Sequence, residues 1–113
     1  MNEDFVPYEL AVKLKEKGFN YETRDIYERN TLACRYEDVL KPTISQVLKW
    51  LREEKELHIE IYMYHNCYLW EIYNTKIYDA DFSQKSEKYS EIEYATYELA
   101  ALAGIKYCLD NLI

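Results

Sequence analysis

Over residues 42–65, PTISQVLKWLREEKELHIEIYMYH, the spacing of apolar residues changes from a helical to a strand period within a few positions. Ile44, Val47, Leu48 and Leu51 stand at i, i+3, i+4 and i+7, on one stripe of a helix, with Gln46, Lys49 and Glu53 opposite. Pro42-Thr43 is a start signal: Thr43 can cap the free amides, or Pro42 can occupy the first turn without losing a hydrogen bond. Trp50 flanks the stripe and widens it. From Leu57 the period is two. Leu57, Ile59, Ile61 and Met63 point one way, and His58, Glu60, Tyr62 and Tyr64 the other. A helix and a strand with one apolar face each bury both by packing together, so this pair is the expected centre of the core.

Elements can be placed on either side of it. Residues 7–17 are expected to form a short helix, with Pro7 in the first turn, Glu9 at the positive end and Lys13, Lys15 and Lys17 toward the negative end. Leu10, Ala11 and Leu14 make its inner face and Gly18 stops it. Residues 19–36 are expected to form a hairpin: Tyr21, Thr23 and Tyr27 favour strand, Arg29-Asn30 a turn, and 32–36 the return. Residues 37–41 lead into the central helix. After 57–64, His65-Asn66-Cys67 is a tight turn, and 68–78 is the antiparallel return strand with Trp70 and Ile72 toward the core. Leu69, Glu71 and Tyr73 take the other face. Residues 79–90 are polar and acidic and are expected to be a loop. Residues 96–112 form the last helix, with Leu102, Ile105, Leu109 and Leu112 as its stripe. Gly104 there costs about 1 kcal/mol of helix propensity, which a close packing contact would offset. Phe5-Val6-Pro7-Tyr8-Glu9-Leu10-Ala11 and Tyr94-Ala95-Thr96-Tyr97-Glu98-Leu99-Ala100 open their helices alike, with an aromatic before the cap as a hydrophobic staple. The expected architecture is a two-layer α+β domain spanning 1–113, in the order α-β-β-α-β-β-α. It has three helices on one face of an antiparallel sheet of about four strands, in two hairpins.

Bulk properties exclude several functions. A chain of 113 residues is one domain, and 49% hydrophobic residues supply its core. The net charge of −7 disfavours duplex nucleic acid, which needs a basic surface. The excess acid lies around Asp79, Asp81, Glu87, Glu91 and Glu93, either a solvated loop or a surface for a basic partner. The acidic start MNEDFVPYEL is unlike a signal peptide, and no apolar run reaches membrane-spanning length. Three cysteines without a CxxC spacing suit a reducing cytoplasm. His65 and Cys67, even with Cys34, make a weak zinc pattern, so no metal or other cofactor is expected. Cys108 reads as a small buried residue. Two glycines leave no phosphate-binding loop, and no nucleophile elbow is present, so no catalytic residue is assigned.

Thirteen tyrosines are too many for a core of this size, so several must lie on the surface. Trp50, Tyr62, Tyr64 and Tyr73 are the candidate interaction surface, because such side chains bury area at low entropic cost and keep a polar handle. Aromatics on a sheet also stack unpaired bases, but this half of the chain has few cations to accompany them.

DFVPYELAVKLKEKGF, KPTISQVLKWLREEKELHIEI and YATYELAALAGIKYCLDNLI resemble a family of short proteins of Bacteroides-type gut bacteria and their phages with no known activity. The resemblance is carried by the Phe-Val-x-Tyr-Glu-x-Ala start, by Leu-Lys-x-x-Gly-Phe, by Pro42, Gln46, Trp50, Leu51 and Arg52, and by Tyr97, Glu98 and Ala100. It covers the three helices and 57–61, but not the middle of either hairpin. It implies a bacterial or phage cytoplasmic origin and transfers no activity, cofactor or catalytic residue.

The expected function is therefore a non-enzymatic protein-interaction domain, binding another protein or a second copy of itself through aromatic surface. One alternative is a small enzyme or ligand binder, with His58 or His65, Glu60, Glu71 and a tyrosine hydroxyl in one cleft. Another is a phage accessory protein whose acidic segment 79–93 binds a basic host protein.

Overall fold

A computed structural model of the chain describes residues 4–23, 25–27, 39–78 and 84–113. The elements are α1 (Tyr8–Glu16), β1 (Asp25–Tyr27), β2 (Val39–Lys41), α2 (Ile44–Glu54), β3 (Leu57–Tyr64), β4 (Cys67–Tyr78), β5 (Gln84–Tyr89) and α3 (Tyr97–Tyr107). The last helix runs on into a π-helical turn over Cys108–Leu112, closed by the Ile113 amide donating to the Cys108 carbonyl at 3.1 Å. The class is α+β and the described strands are antiparallel.

Thr43, not Pro42, caps α2. Its hydroxyl accepts from the Gln46 amide at 3.2 Å, and the Gln46 side chain accepts from the Thr43 amide at 2.9 Å. That reciprocal pair satisfies two amides that a helix start leaves free. The expected stripe, Ile44, Val47, Leu48 and Leu51, is buried. At the end of α1, Gly18 takes a φ of 89°. The Phe19 amide then reaches the Leu14 carbonyl at 2.9 Å and the Gly18 amide that of Lys15 at 3.1 Å, which satisfies two orphan carbonyls. The two similar helix starts both carry an isolated antiparallel bridge on the aromatic: Phe5 with Thr43, and Tyr94 with Tyr68. The residue in staple position before the cap is Val6, fully buried, rather than Phe5, whose ring lies 4.6 Å below the Lys41 ammonium.

β3 and β4 form a hairpin paired without interruption from Leu57↔Asn74 to Tyr64↔Cys67. The turn is His65-Asn66, with φ of 49° and 64°. Two consecutive left-handed residues match the twist of the flanking strands, and His and Asn tolerate that region better than most side chains. Alternation puts Leu57, Ile59, Trp70 and Ile72 on the inner face, where all four are buried, but of the expected apolar face of β3 Ile61 is only half-buried and Met63, beyond the cover of the helices, is exposed. α2 and α3 pack on β3, and α3 also on β4. Gly104 faces the sheet: a Cβ there would stand 3.0 Å from Ile59 Cγ2 and 3.4 Å from Trp70 Cγ. The buried side of α3 is Ala100, Ala101, Gly104 and Ile105, with Cys108 and Leu109 beyond. Of the expected stripe, Ile105 and Leu109 are fully buried while Leu102 and Leu112 are half-buried, and the small residues Ala100, Ala101 and Gly104 complete the contact. The Trp70 indole nitrogen is buried without an acceptor among the described residues.

Three expectations are corrected. The first hairpin does not join the second: β1 and β2 form their own two-stranded sheet, in register Ile26↔Leu40. Its return strand is 39–41, and the expected turn Arg29-Asn30 and return 32–36 lie outside the described residues. Where a loop was expected over 79–90, β5 adds a third strand, in the order β3-β4-β5. Its sequence, QKSEKY, is polar because an edge strand can be, and pairing with β4 supplies its stability. Trp50 is no surface residue. It is 1% exposed, with Phe19 edge-on at 5.4 Å between centroids and the Lys55 ammonium over its ring. The segment after α1 folds over the side of α2 where Trp50 projects.

Candidate functional site

The outer face of the three-stranded sheet is built by the residues alternate to its buried ones. Directly opposed residues share a face, so the rows there are His58↔Tyr73, Glu60↔Glu71, Tyr62↔Leu69 and Tyr64↔Cys67. β5 adds Tyr89 opposite Glu71 and Ser86 opposite Tyr73. Tyr62 is 38%, Tyr64 54% and Tyr89 62% exposed, and Tyr73 is half-buried. Three of the four expected surface aromatics therefore share this face, and the fourth, Trp50, does not. Tyr89 was not expected, because its segment carries no strand-like alternation.

Two carboxylates face each other at the middle of this surface. Like charges directly opposite on a sheet cost stability. Glu60 is exposed and Glu71 half-buried, and the residues on these four rows include no Lys or Arg. Tyr73 is hydrogen-bonded to Glu71. Burial, then that bond, then the charges of Glu71 and Glu60 push its hydroxyl up to about 12. The phenol is therefore neutral at physiological pH and can donate but not act as a base. His58 stacks on Tyr73, with centroids 6.5 Å apart and planes at 30°.

The structure thus brings His58, Glu60, Glu71 and Tyr73 onto neighbouring rows. His65 does not join them. It lies in the turn, five positions beyond Glu60 or roughly 16 Å along the strand, edge-on to Tyr64 at 4.1 Å. The described grooves lie away from this face. One, of 280 Å³, is lined by Leu10, Leu102, Ala103, Lys13 and Lys106 between α1 and α3, and another, of 270 Å³, by Ala11, Phe19 and Leu40.

Among the described residues no group of three or more His, Cys, Asp or Glu is placed to hold a metal ion. Cys34 lies outside them. The Cys67 thiol is pushed up by partial burial and then by the neighbouring Glu93, and burial raises Cys108 to about 12. Neither has the lowered pKa of a reactive cysteine. Of the acidic segment, 79–83 lie outside the described residues. Glu91 and Glu93 are exposed, and Glu91 accepts from Lys88 at 3.2 Å. Among the described residues no helix is long and apolar enough to cross a membrane.

No protein-family model, curated protein or solved structure matches this chain.

Proposed function

We propose that this is a cytoplasmic, non-enzymatic protein-binding module whose outer sheet face takes a basic segment of a partner protein. The observation that carries the reading is the opposed pair Glu60 and Glu71 with Tyr62, Tyr73 and Tyr89 on adjoining rows. Two opposed carboxylates weaken the fold, and a cation lying over them would offset the repulsion that the Tyr73 hydroxyl relieves at Glu71 alone. Tyrosine rings beside it add cation–π attraction to a Lys or Arg side chain and apolar area for the chain that carries it. The tyrosine surface and the Glu60/Glu71 pair, set in separate functional readings from the sequence, become one site in this reading.

Proton-transfer chemistry has less support on the same patch, since the Tyr73 phenol is held neutral and the surface is an open sheet face rather than a cleft. The test begins with affinity capture from cells of the source organism, followed by titration of the purified partner. Glu60→Gln and Tyr62→Ala are each expected to weaken binding by about tenfold, ~1.4 kcal/mol, with a further loss on raising salt. A partner that binds both variants as tightly as the wild type would remove this face from consideration.

A further inference from the structure

We infer that β3 pairs edge to edge with β3 of a second copy, antiparallel about a two-fold axis at Ile61, joining two three-stranded sheets into one of six strands. The inference concerns the edge of the sheet rather than its outer face, and it stands whether or not that face binds a basic segment.

β3 is hydrogen-bonded on one side only among the described residues. The phase of its bonds is fixed at both ends. Tyr64 and Cys67 flank the two-residue turn, and the Thr75 amide donates to the Glu56 carbonyl at 2.8 Å. Bonded pairs alternate in an antiparallel ladder. Residues 56, 58, 60, 62 and 64 therefore turn their backbone groups toward β4, and Ile59, Ile61 and Met63 turn theirs outward.

The two edges of this sheet differ in how they are protected. Three of the six residues of β5 are charged, Lys85, Glu87 and Lys88, and its pairing with β4 shifts register twice. Charges and irregular pairing are the devices that keep an edge from recruiting another strand. β3, LHIEIYMY, carries one charged residue, Glu60, has no Lys, Arg, Pro or Gly, and keeps one register over its whole length. An edge of that length with a single charge is expected to be covered.

Self-complementarity selects the cover. A two-fold pairing must set outward-facing residues opposite outward-facing residues, which leaves a few registers. A centre at Glu60 would put two carboxylates against each other. A centre at Ile59 would overlap only residues 57–61 of the strand. The centre at Ile61 sets Glu60 opposite Tyr62, His58 opposite Tyr64, Ile59 opposite Met63 and Ile61 opposite itself. No like charges stand directly opposite, and the inner-face pairs are all apolar. It also covers Met63, which is 61% exposed although its strand position belongs to the apolar face, and the half-buried Ile61.

The test uses the full chain. Light scattering over a concentration series is expected to give twice 13.7 kDa, and Ile61→Lys, which sets two ammonium groups at the axis, is expected to give 13.7 kDa. The register is tested with two proteins, one carrying His58→Cys and the other Tyr64→Cys, both with Cys34→Ser and Cys67→Ser. Positions 58 and 64 would be a non-hydrogen-bonded pair across the axis, about 4.5 Å between Cα atoms and within disulfide reach. With oxidised glutathione, a disulfide-linked dimer is expected when the two proteins are mixed and from neither alone. A monomer at the highest soluble concentration overturns the inference. So does a dimer that Ile61→Lys leaves intact, or a cross-link formed by either protein alone. If Ile61→Lys does not fold, the cross-linking pattern decides.

Discussion

The two faces of the three-stranded sheet are drawn from the same eight residues of β3 and their partners on β4, yet they behave as different materials. The inner face sets Ile59 against Ile72 and Ile61 against Trp70 under two helices, and Gly104 lets α3 approach closely. The outer face sets Glu60 against Glu71 and leaves tyrosines in water. Burial explains Leu57, Ile59, Trp70 and Ile72 on the first, and Met63, at the hairpin end, stands exposed there. The second contains an arrangement, two opposed carboxylates, that folding alone disfavours. Where a residue choice works against the fold, binding is the natural place to look for its cause.

The contrast can be broken most forcefully from the inside. Trp70→Ala and Trp50→Ala each remove a buried indole and should cost about 3–5 kcal/mol in urea unfolding. For Trp50 the loss should appear as stability and not as a specific loss of partner binding, since the ring packs on Phe19. Gly104→Ala should cost about 1 kcal/mol net. The new methyl gains helix propensity but meets Ile59 Cγ2 at 3.0 Å, and overpacking outweighs the gain.

On the outer face the effects should be smaller, and one should reverse sign. Tyr73 carries a folded-state pKa of about 12, above its ordinary value of 10.0. A raised pKa means that its contribution is complete below pH 10 and is lost as pH rises toward 12. Tyr73→Phe should remove that part of the alkaline fall in the urea midpoint, read as the difference between variant and wild type. Glu60→Gln should stabilise the fold by a few tenths of a kcal/mol by relieving the repulsion with Glu71. A destabilised Glu60→Gln would mean that the carboxylate already has a partner within the fold.

How far the sequence exposes this arrangement depends on how local its causes are. The inner face is legible because a strict period of two over Leu57–Tyr64 leaves one way to bury it, and the α2 stripe and its Thr43 cap are equally local. The outer location of Tyr62, Tyr64 and Tyr73 follows from the same alternation. Trp50 is misread because its fate depends on Phe19, which lies 31 residues away in sequence. β5 is misread because an edge strand takes its stability from its neighbour's hydrogen bonds and needs no apolar pattern, and Tyr89 is lost with it. The opposition of Glu60 to Glu71 depends on the register set by the His65-Asn66 turn, and composition alone does not reveal it.

The central claim, that the outer face is a site for a cationic segment, is tested most directly by following backbone amide shifts while a short oligoarginine peptide is added. Shifts are expected to concentrate at His58, Glu60, Tyr62, Leu69, Glu71, Tyr73 and Tyr89, to be reversed by salt and to be absent from the Glu60→Gln/Glu71→Gln protein. Shifts that instead gather at the exposed acids Glu53, Glu54, Glu91 and Glu93, and persist unchanged in the double variant, would contradict it.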